Sequence, residues 1–196
     1  MCKKTEILLF VSLIFLVGSC GLFDTRSVEP PSDPRSNYSP PTSPDIVLTN
    51  LQFAIAEKNL NNYISCFSDS VLTGKVFHFV ADLSTNAQYP ILSNWNFQQE
   101  KIYYTNLISQ TDIQSSSNLF LSNPQAITTP DSVIYDADYV LVYFHNDPSV
   151  AKNFNGKLRF TMFQDSRNLW SITRWQDFKN DSGDTTWSEL KAAFVN

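Results

Sequence analysis

Cysteine is scarce in this 196-residue chain: Cys2, Cys20 and Cys66 are all there is. With no CxxC and no Cys/His cluster, structural zinc and thioredoxin-type exchange are excluded. Histidine is scarcer still, and His78 and His145 lie too far apart in the chain to read as a metal signature. Basic charge is also short. There are 14 Lys+Arg against 19 Asp+Glu, a net charge of -5, so no basic stripe exists to neutralise phosphates and nucleic acid is excluded as a general partner. GxSxG, a P-loop, a dinucleotide fingerprint and HExxH are missing. The oxygen-rich run at 180–184 lacks the length and closing glutamate of a calcium loop and reads as a turn. No metal and no cofactor are therefore expected. What remains is 42% hydrophobic and 14% aromatic, enough to fill one core and too much for a wholly disordered chain.

Residues 1–19 have the three parts of an export signal: Lys3 and Lys4, an apolar run from Ile7 to Val17 broken by Ser12, then small residues. The run is about half the ~20 residues a spanning helix needs. Val17-Gly18-Ser19-Cys20 resembles a bacterial lipobox. The resemblance implies cleavage before Cys20 and acylation of that cysteine, which would attach the chain to a lipid bilayer. Gly21 after the cysteine implies the outer membrane, with the domain periplasmic or surface-exposed. An ordinary signal peptide is the alternative. Since the chain is acidic, anchoring would rest on acyl chains, each buried CH₂ contributing about 0.8 kcal/mol, and not on a basic patch. Cys66 is then the one remaining thiol. It sits beside Phe67 in an apolar helical pattern, as a buried, inert side chain does.

Six of the ten prolines fall between Gly21 and Asp45, so 20–42 reads as an extended tether. The domain is expected over 43–196. Ser43-Pro44 is a helix start, followed by Val47, Leu51, Ala54 and Ile55 on one face. Leu60, Tyr63, Ile64 and Phe67 mark a second helix, and 76–80 a short strand. A third helix is expected over 95–110. From Ser116 the apolar period changes to two, with strands over 118–121, 132–145, 156–163 and 169–178. Loops this short require antiparallel pairing. A last helix opens at Thr186, with Glu189 completing a capping box, and puts Trp187, Leu190 and Phe194 on one face. The fold class is α+β, a curved antiparallel sheet covered on one face by the N-terminal helices.

The order of three features resembles the NTF2-like superfamily, the SnoaL-like or cystatin-like cone. They are the helix pair from Leu51 to Tyr63 leading to Cys66-Phe67-Ser68-Asp69, the helix from Trp95 to Leu107, and the late strands Gly156-Lys157-Leu158-Arg159-Phe160 and Leu169-Trp170-Ser171-Ile172-Thr173-Arg174-Trp175. The resemblance covers the chain from Pro44 onward. It implies a cone with a cavity at its wide end, used by some relatives for isomerisation or dehydration through Asp, His and Tyr and by others for binding alone. The C-terminal helix departs from the many members that end on a strand.

Five residues are candidates for that cavity: Tyr63, His78, Trp95, Tyr103 and Arg174. His78 alternates with Phe77 and Phe79, and an imidazole inside the cone could act as a base. A solvent-facing histidine is the other reading. Arg174 alternates with Ile172 and Trp170 if its strand is regular, and a bulge would send it outward. His145 reads as a rim residue. Asp136 and Asp138 read as surface acids, and Lys157 and Arg159 as the wet side of an edge hairpin. The leading functional expectation is a non-enzymatic, membrane-tethered domain that binds a small apolar ligand or a partner protein. A small isomerase or dehydratase using His78 with a tyrosine or aspartate, and a structural homodimer, are the alternatives.

Overall fold

The computed structural model describes residues 36–112 and 114–196. The segment expected to be a signal peptide, the expected lipidation site Cys20 and most of the expected tether lie outside the described residues. The compact domain begins at Ser36, seven residues before the expected Ser43. Ser39 N–H donates to Asn50 Oδ1 (3.0 Å), Asn50 Nδ2 donates to Ser39 O (2.7 Å), and Trp170 N–H donates to Pro41 O (2.7 Å). The last residues assigned to the tether thus hydrogen-bond to the domain.

Helix α1 (Pro44–Glu57) starts as expected. The Ser43 hydroxyl accepts from Ile46 N–H, Pro44 occupies the first turn, and Val47, Leu48, Leu51, Ala54 and Ile55 are buried. Lys58, at φ 53°, turns the chain out of it. Helix α2 (Leu60–Ser65), capped by Asn59, buries Tyr63. Helix α3 (Ser70–Thr73) ends at Gly74, whose φ of 72° favours glycine. Strand β1 (His78–Val80) and helix α4 (Leu83–Gln88) follow. A 3₁₀ turn at Pro90–Asn94 precedes α5 (Phe97–Ser109), whose start is set by an Asn96–Gln99 capping box.

Strands β2 (Asn118–Thr128), β3 (Ser132–Val142), β4 (Asn153–Gln164) and β5 (Trp170–Phe178) form an antiparallel meander, in the sheet order β1-β5-β4-β3-β2. The sheet is mixed, because β1 pairs with β5 in parallel, His78 opposite Arg174. The antiparallel expectation came from short loops, and β1 reaches the sheet through no short loop. β4 lies inside the sheet and not in an edge hairpin. Its Arg159 forms a two-pronged contact with Asp136 on β3, and Lys157 lies 4.0 Å from Asp138.

One irregularity decides which way β5 points its side chains. Met162 on β4 faces Ile172, but Thr161 faces Arg174, so Thr173 is an extra residue. The bulge reverses the alternation. Ile172 and Trp175 are both fully buried, while Arg174 is exposed.

The final helix, α6 (Trp187–Phe194), packs on β4, α4 and α5. Thr186 occupies its N-cap but makes no side-chain cap bond, so the expected capping box does not form. Its buried face carries Trp187, Leu190, Lys191 and Phe194.

Candidate functional site

The interior enclosed by the sheet and the helices is occupied by the chain itself. On α5, Glu100 shares the buried face with Tyr103, Tyr104 and Leu107. Its carboxylate accepts from Tyr63 Oη on α2 (2.6 Å) and from Trp95 Nε1 (2.6 Å). Its third partner is the Lys191 ammonium of α6. Both charged side chains have no solvent exposure.

Aromatic rings close around this pair. Lys191 Nζ lies 4.1 Å from the Trp175 ring centre, 4.5 Å from Phe79, 4.7 Å from Tyr103 and 5.3 Å from Trp95. All four distances fall within the ~6 Å over which a ring face attracts a cation. Burial lowers the Lys191 pKa to about 8, against the opposing pull of the Glu100 carboxylate. Burial, with the nearby Glu100 charge, pushes the Tyr63 and Tyr103 hydroxyls well above the ordinary tyrosine value, so both stay protonated.

A second buried carboxylate holds the start of α6. Asp177 accepts from Ser188 N–H (2.7 Å), Ser188 Oγ (2.5 Å) and Tyr139 Oη (2.8 Å). Tyr139 Oη in turn accepts from Trp187 N–H (2.7 Å), and Trp187 Nε1 donates to Tyr103 Oη (2.9 Å). Burial raises the Asp177 pKa despite those hydrogen bonds. Helix α6 is thus tied at its start by Asp177 and Tyr139 and along its length by Glu100.

The sequence candidates divide into two places. Tyr63, Trp95 and Tyr103 come together around Glu100 and Lys191. His78 and Arg174 are exposed and lie side by side on the outer face of the sheet. His145 is buried, where a rim position was expected. Its Nε2 lies 2.8 Å from Ala151 O, and its ring is 5.0 Å from that of Phe194. Cys66 is buried, and burial pushes its thiol up. Among the described residues no group of acids, histidines and cysteines could hold a metal ion, and no helix is long and apolar enough to cross a membrane.

Among the depressions that the described residues leave open to solvent are two that none of the five candidates lines. The first, about 260 Å³, lies among Tyr38, Pro41, Ile64, Leu72, Phe97 and Trp170. The second, about 470 Å³, is a groove between the start of α1 at Pro44 and Asp45 and the strand residues Ala126, Val133 and Tyr135.

Glu100 and Lys191 were not anticipated. The signal was in the spacing. Lys191 falls at i+4 from Trp187 and one residue after Leu190, and Glu100 falls at i−3 and i−4 from Tyr103 and Tyr104. Each is a charge on the apolar stripe of its helix, and the two charges have opposite sign.

No family model matches the sequence, and no curated protein matches it. Solved structures do. A candidate dehydratase of the NTF2-like family from Streptomyces avermitilis superposes with a TM-score of 0.51 at 10% identity, over 69% of this chain and 92% of that one. An NTF2-like superfamily protein from Salmonella enterica serovar Typhimurium gives a TM-score of 0.49 at 12% identity, over 70% and 90%. An NTF2-like protein from Rhodospirillum rubrum gives 0.49 at 13%, over 70% and 98%. This chain has the NTF2-like fold, an α+β cone with helices at the N-terminus and a short helix at the C-terminus. The likeness extends to the fold alone.

Proposed function

We propose that this chain is a membrane-tethered binding domain that engages a partner protein through the outer face of its sheet and performs no catalysis. The observation that carries the reading is the filled interior: the place where an acid and a base would have to meet a substrate holds Lys191, Glu100 and four aromatic rings. His78 and Arg174 face solvent instead. The outer face offers what a partner surface needs. Ile127 and Ile134 are neighbours across β2 and β3, as are Phe120 and Val140, and all four are exposed. Between the two apolar pairs lie the Asp136–Arg159 and Asp138–Lys157 pairs, a polar strip that would set register more than affinity. The signal-like 1–19 segment and Cys20 support attachment by acyl chains.

The groove beside Pro44 and Asp45, walled by Val133, Tyr135 and Ala126, favours a second reading in which a small apolar ligand is bound there.

Two experiments test the first reading. In the full chain expressed in its own envelope, a photo-crosslinking residue at Phe120 or Ile127 should give an adduct of defined mass, and one at the still more exposed Leu83 should give none. No adduct from the sheet face, or the same adducts from all three sites, would overturn it. Cys20→Ser should move the chain from the membrane fraction to the soluble fraction. Retention in the membrane would remove the acyl tether from the reading.

A further inference from the structure

The two edges of the sheet are finished differently. At the β1 edge His78 bridges to Asn96, and Phe79 N–H donates to Trp95 O (3.1 Å). β2 forms the other edge, and no described strand pairs with its far side. An irregularity over Asn123 and Pro124, with Asn123 at φ 51°, divides β2 in two. The first half is reached by α1, where Gln52 Nε2 donates to Leu119 O (3.1 Å). The second half, 125–128, is exposed throughout.

The pairing fixes which groups this second half presents. Thr129 N–H donates to Ser132 O at the hairpin, which makes 129 and 132 a hydrogen-bonded pair, and the character of the pairs alternates from there. Ile127, opposite Ile134, and Gln125, opposite Asp136, therefore turn their N–H and C=O groups toward β3. Ala126 and Thr128, opposite Tyr135 and Val133, turn theirs away. Two donors and two acceptors thus stand on an open edge at the repeat of an extended chain. Edges are commonly blunted by a charged side chain, a proline or a bulge. β2 has its bulge and proline at 123–124, ahead of this stretch, and no charged residue from Asn118 to Thr128.

The groove of about 470 Å³ lies along the same stretch, since Ala126 and Thr128 line it together with Pro44, Asp45, Val133 and Tyr135. Asp45 is its one charged lining residue. It is exposed and enters no ion pair among the described residues.

We propose that 125–128 is an acceptor edge for an extended segment of a partner protein. The segment's main chain bonds to Ala126 and Thr128, one of its apolar side chains enters the groove, and a lysine or arginine two positions away meets Asp45. Strand addition divides the work in this manner: main-chain bonds give affinity, and every second side chain gives specificity. An acidic segment is disfavoured by Asp45 and by the net charge of -5. The proposal rests on the reading of a protein partner, adds the edge to the outer face, and gives the groove to that segment in place of a small ligand.

The test pans a random heptapeptide library displayed on phage against the full chain in detergent. Enriched sequences should carry apolar residues at alternate positions, with lysine or arginine two positions from one of them. Synthesised as peptides, they should bind Ala126→Pro about tenfold more weakly, because that proline removes an N–H aimed away from β3 and leaves the β2–β3 ladder whole. Thr128→Pro should act alike and is read where Ala126→Pro does not fold. Panning repeated on Asp45→Lys, a change at an exposed position, should turn the charge preference from basic to acidic. No enrichment over the bare support, affinity unchanged in a folded proline variant, or a charge preference unchanged in Asp45→Lys would each overturn the proposal. Phe120 lies beyond the bulge on the outer face, so an adduct there without edge binding removes the edge and leaves the outer-face reading standing.

Discussion

Glu100 and Lys191 lie 91 positions apart, on α5 and on α6, and they meet with no solvent exposure on either side chain. Two opposite charges taken out of water are costly apart and tolerable together. Once α6 docks, each charge needs the other. The pair therefore ties the C-terminus to the centre of the fold and gives the cone its contents.

Removing one partner should cost more than removing both. Lys191→Met leaves the Glu100 carboxylate buried with only Tyr63 and Trp95 donating to it, and should destabilise by about 3–5 kcal/mol. Adding Glu100→Gln keeps an acceptor for those two donors while removing the charge, and should recover most of the loss. Urea unfolding of the two single variants and the double variant checks this. Additivity of the single effects would mean that the two residues do not interact.

The same lysine gives stability a pH dependence with a fixed sign. In the folded chain Lys191 releases its proton near pH 8; in the unfolded chain it holds the proton to the ordinary lysine value of 10.5. Between those values the unfolded state binds more protons, so stability rises with pH, by at most about 1.4 kcal/mol per pH unit. Cys66 and the buried tyrosines work the other way. Their folded values are raised above 9.0 and 10.0, so their contribution is lost as the unfolded chain ionises. The measurement is the difference in unfolding free energy between the unaltered chain and Lys191→Met, from pH 7 to 9.5. The difference should shift in favour of the unaltered chain as pH rises. A flat difference would contradict the assignment.

Much of the fold was legible because it follows from local rules. Ser43-Pro44 starts a helix through capping chemistry, and the period-two runs after Ser116 become β2 to β5. The parts that were not legible each depend on a distant contact. Arg174 points outward because Thr173 is an extra residue relative to β4, and nothing in the run from Trp170 to Phe178 marks Thr173 as the bulge. β1 joins the sheet in parallel because β5, nearly a hundred residues later, offers it an edge. The site divides in the same way. Tyr63, Trp95 and Tyr103 were found as large aromatic side chains on apolar faces. Lys191 was passed over because a lysine among Trp187, Leu190 and Phe194 is read as the edge of an apolar stripe until its counter-charge is seen on α5.

Gly156 supports the same interior from the sheet side. A Cβ there would sit 2.5 Å from Phe178 O and 3.1 Å from Tyr139 Oη. The first neighbour is backbone and does not swing aside, and the second is the hydroxyl that bridges Asp177 to the start of α6. Gly156→Ala should cost about 1–3 kcal/mol through this overpacking. Amide exchange in α6 should rise with it, since the displaced group is one of the anchors of that helix. An alanine variant as stable as the unaltered chain would mean that β4 and β5 separate more easily here than their pairing implies.

The central claim is that Lys191 fills the cone from inside, and lysine acylation reads it most directly. The full chain is treated near pH 8 with a limiting amount of an acetylating reagent, and the modified lysines are followed over time by mass spectrometry. A lysine whose pKa has fallen to about 8 would be among the fastest to react if solvent reached it. The structure predicts that Lys191 is the last to be modified, at the pace of unfolding, long after the exposed Lys157. Modification of Lys191 in step with Lys157 would contradict the account.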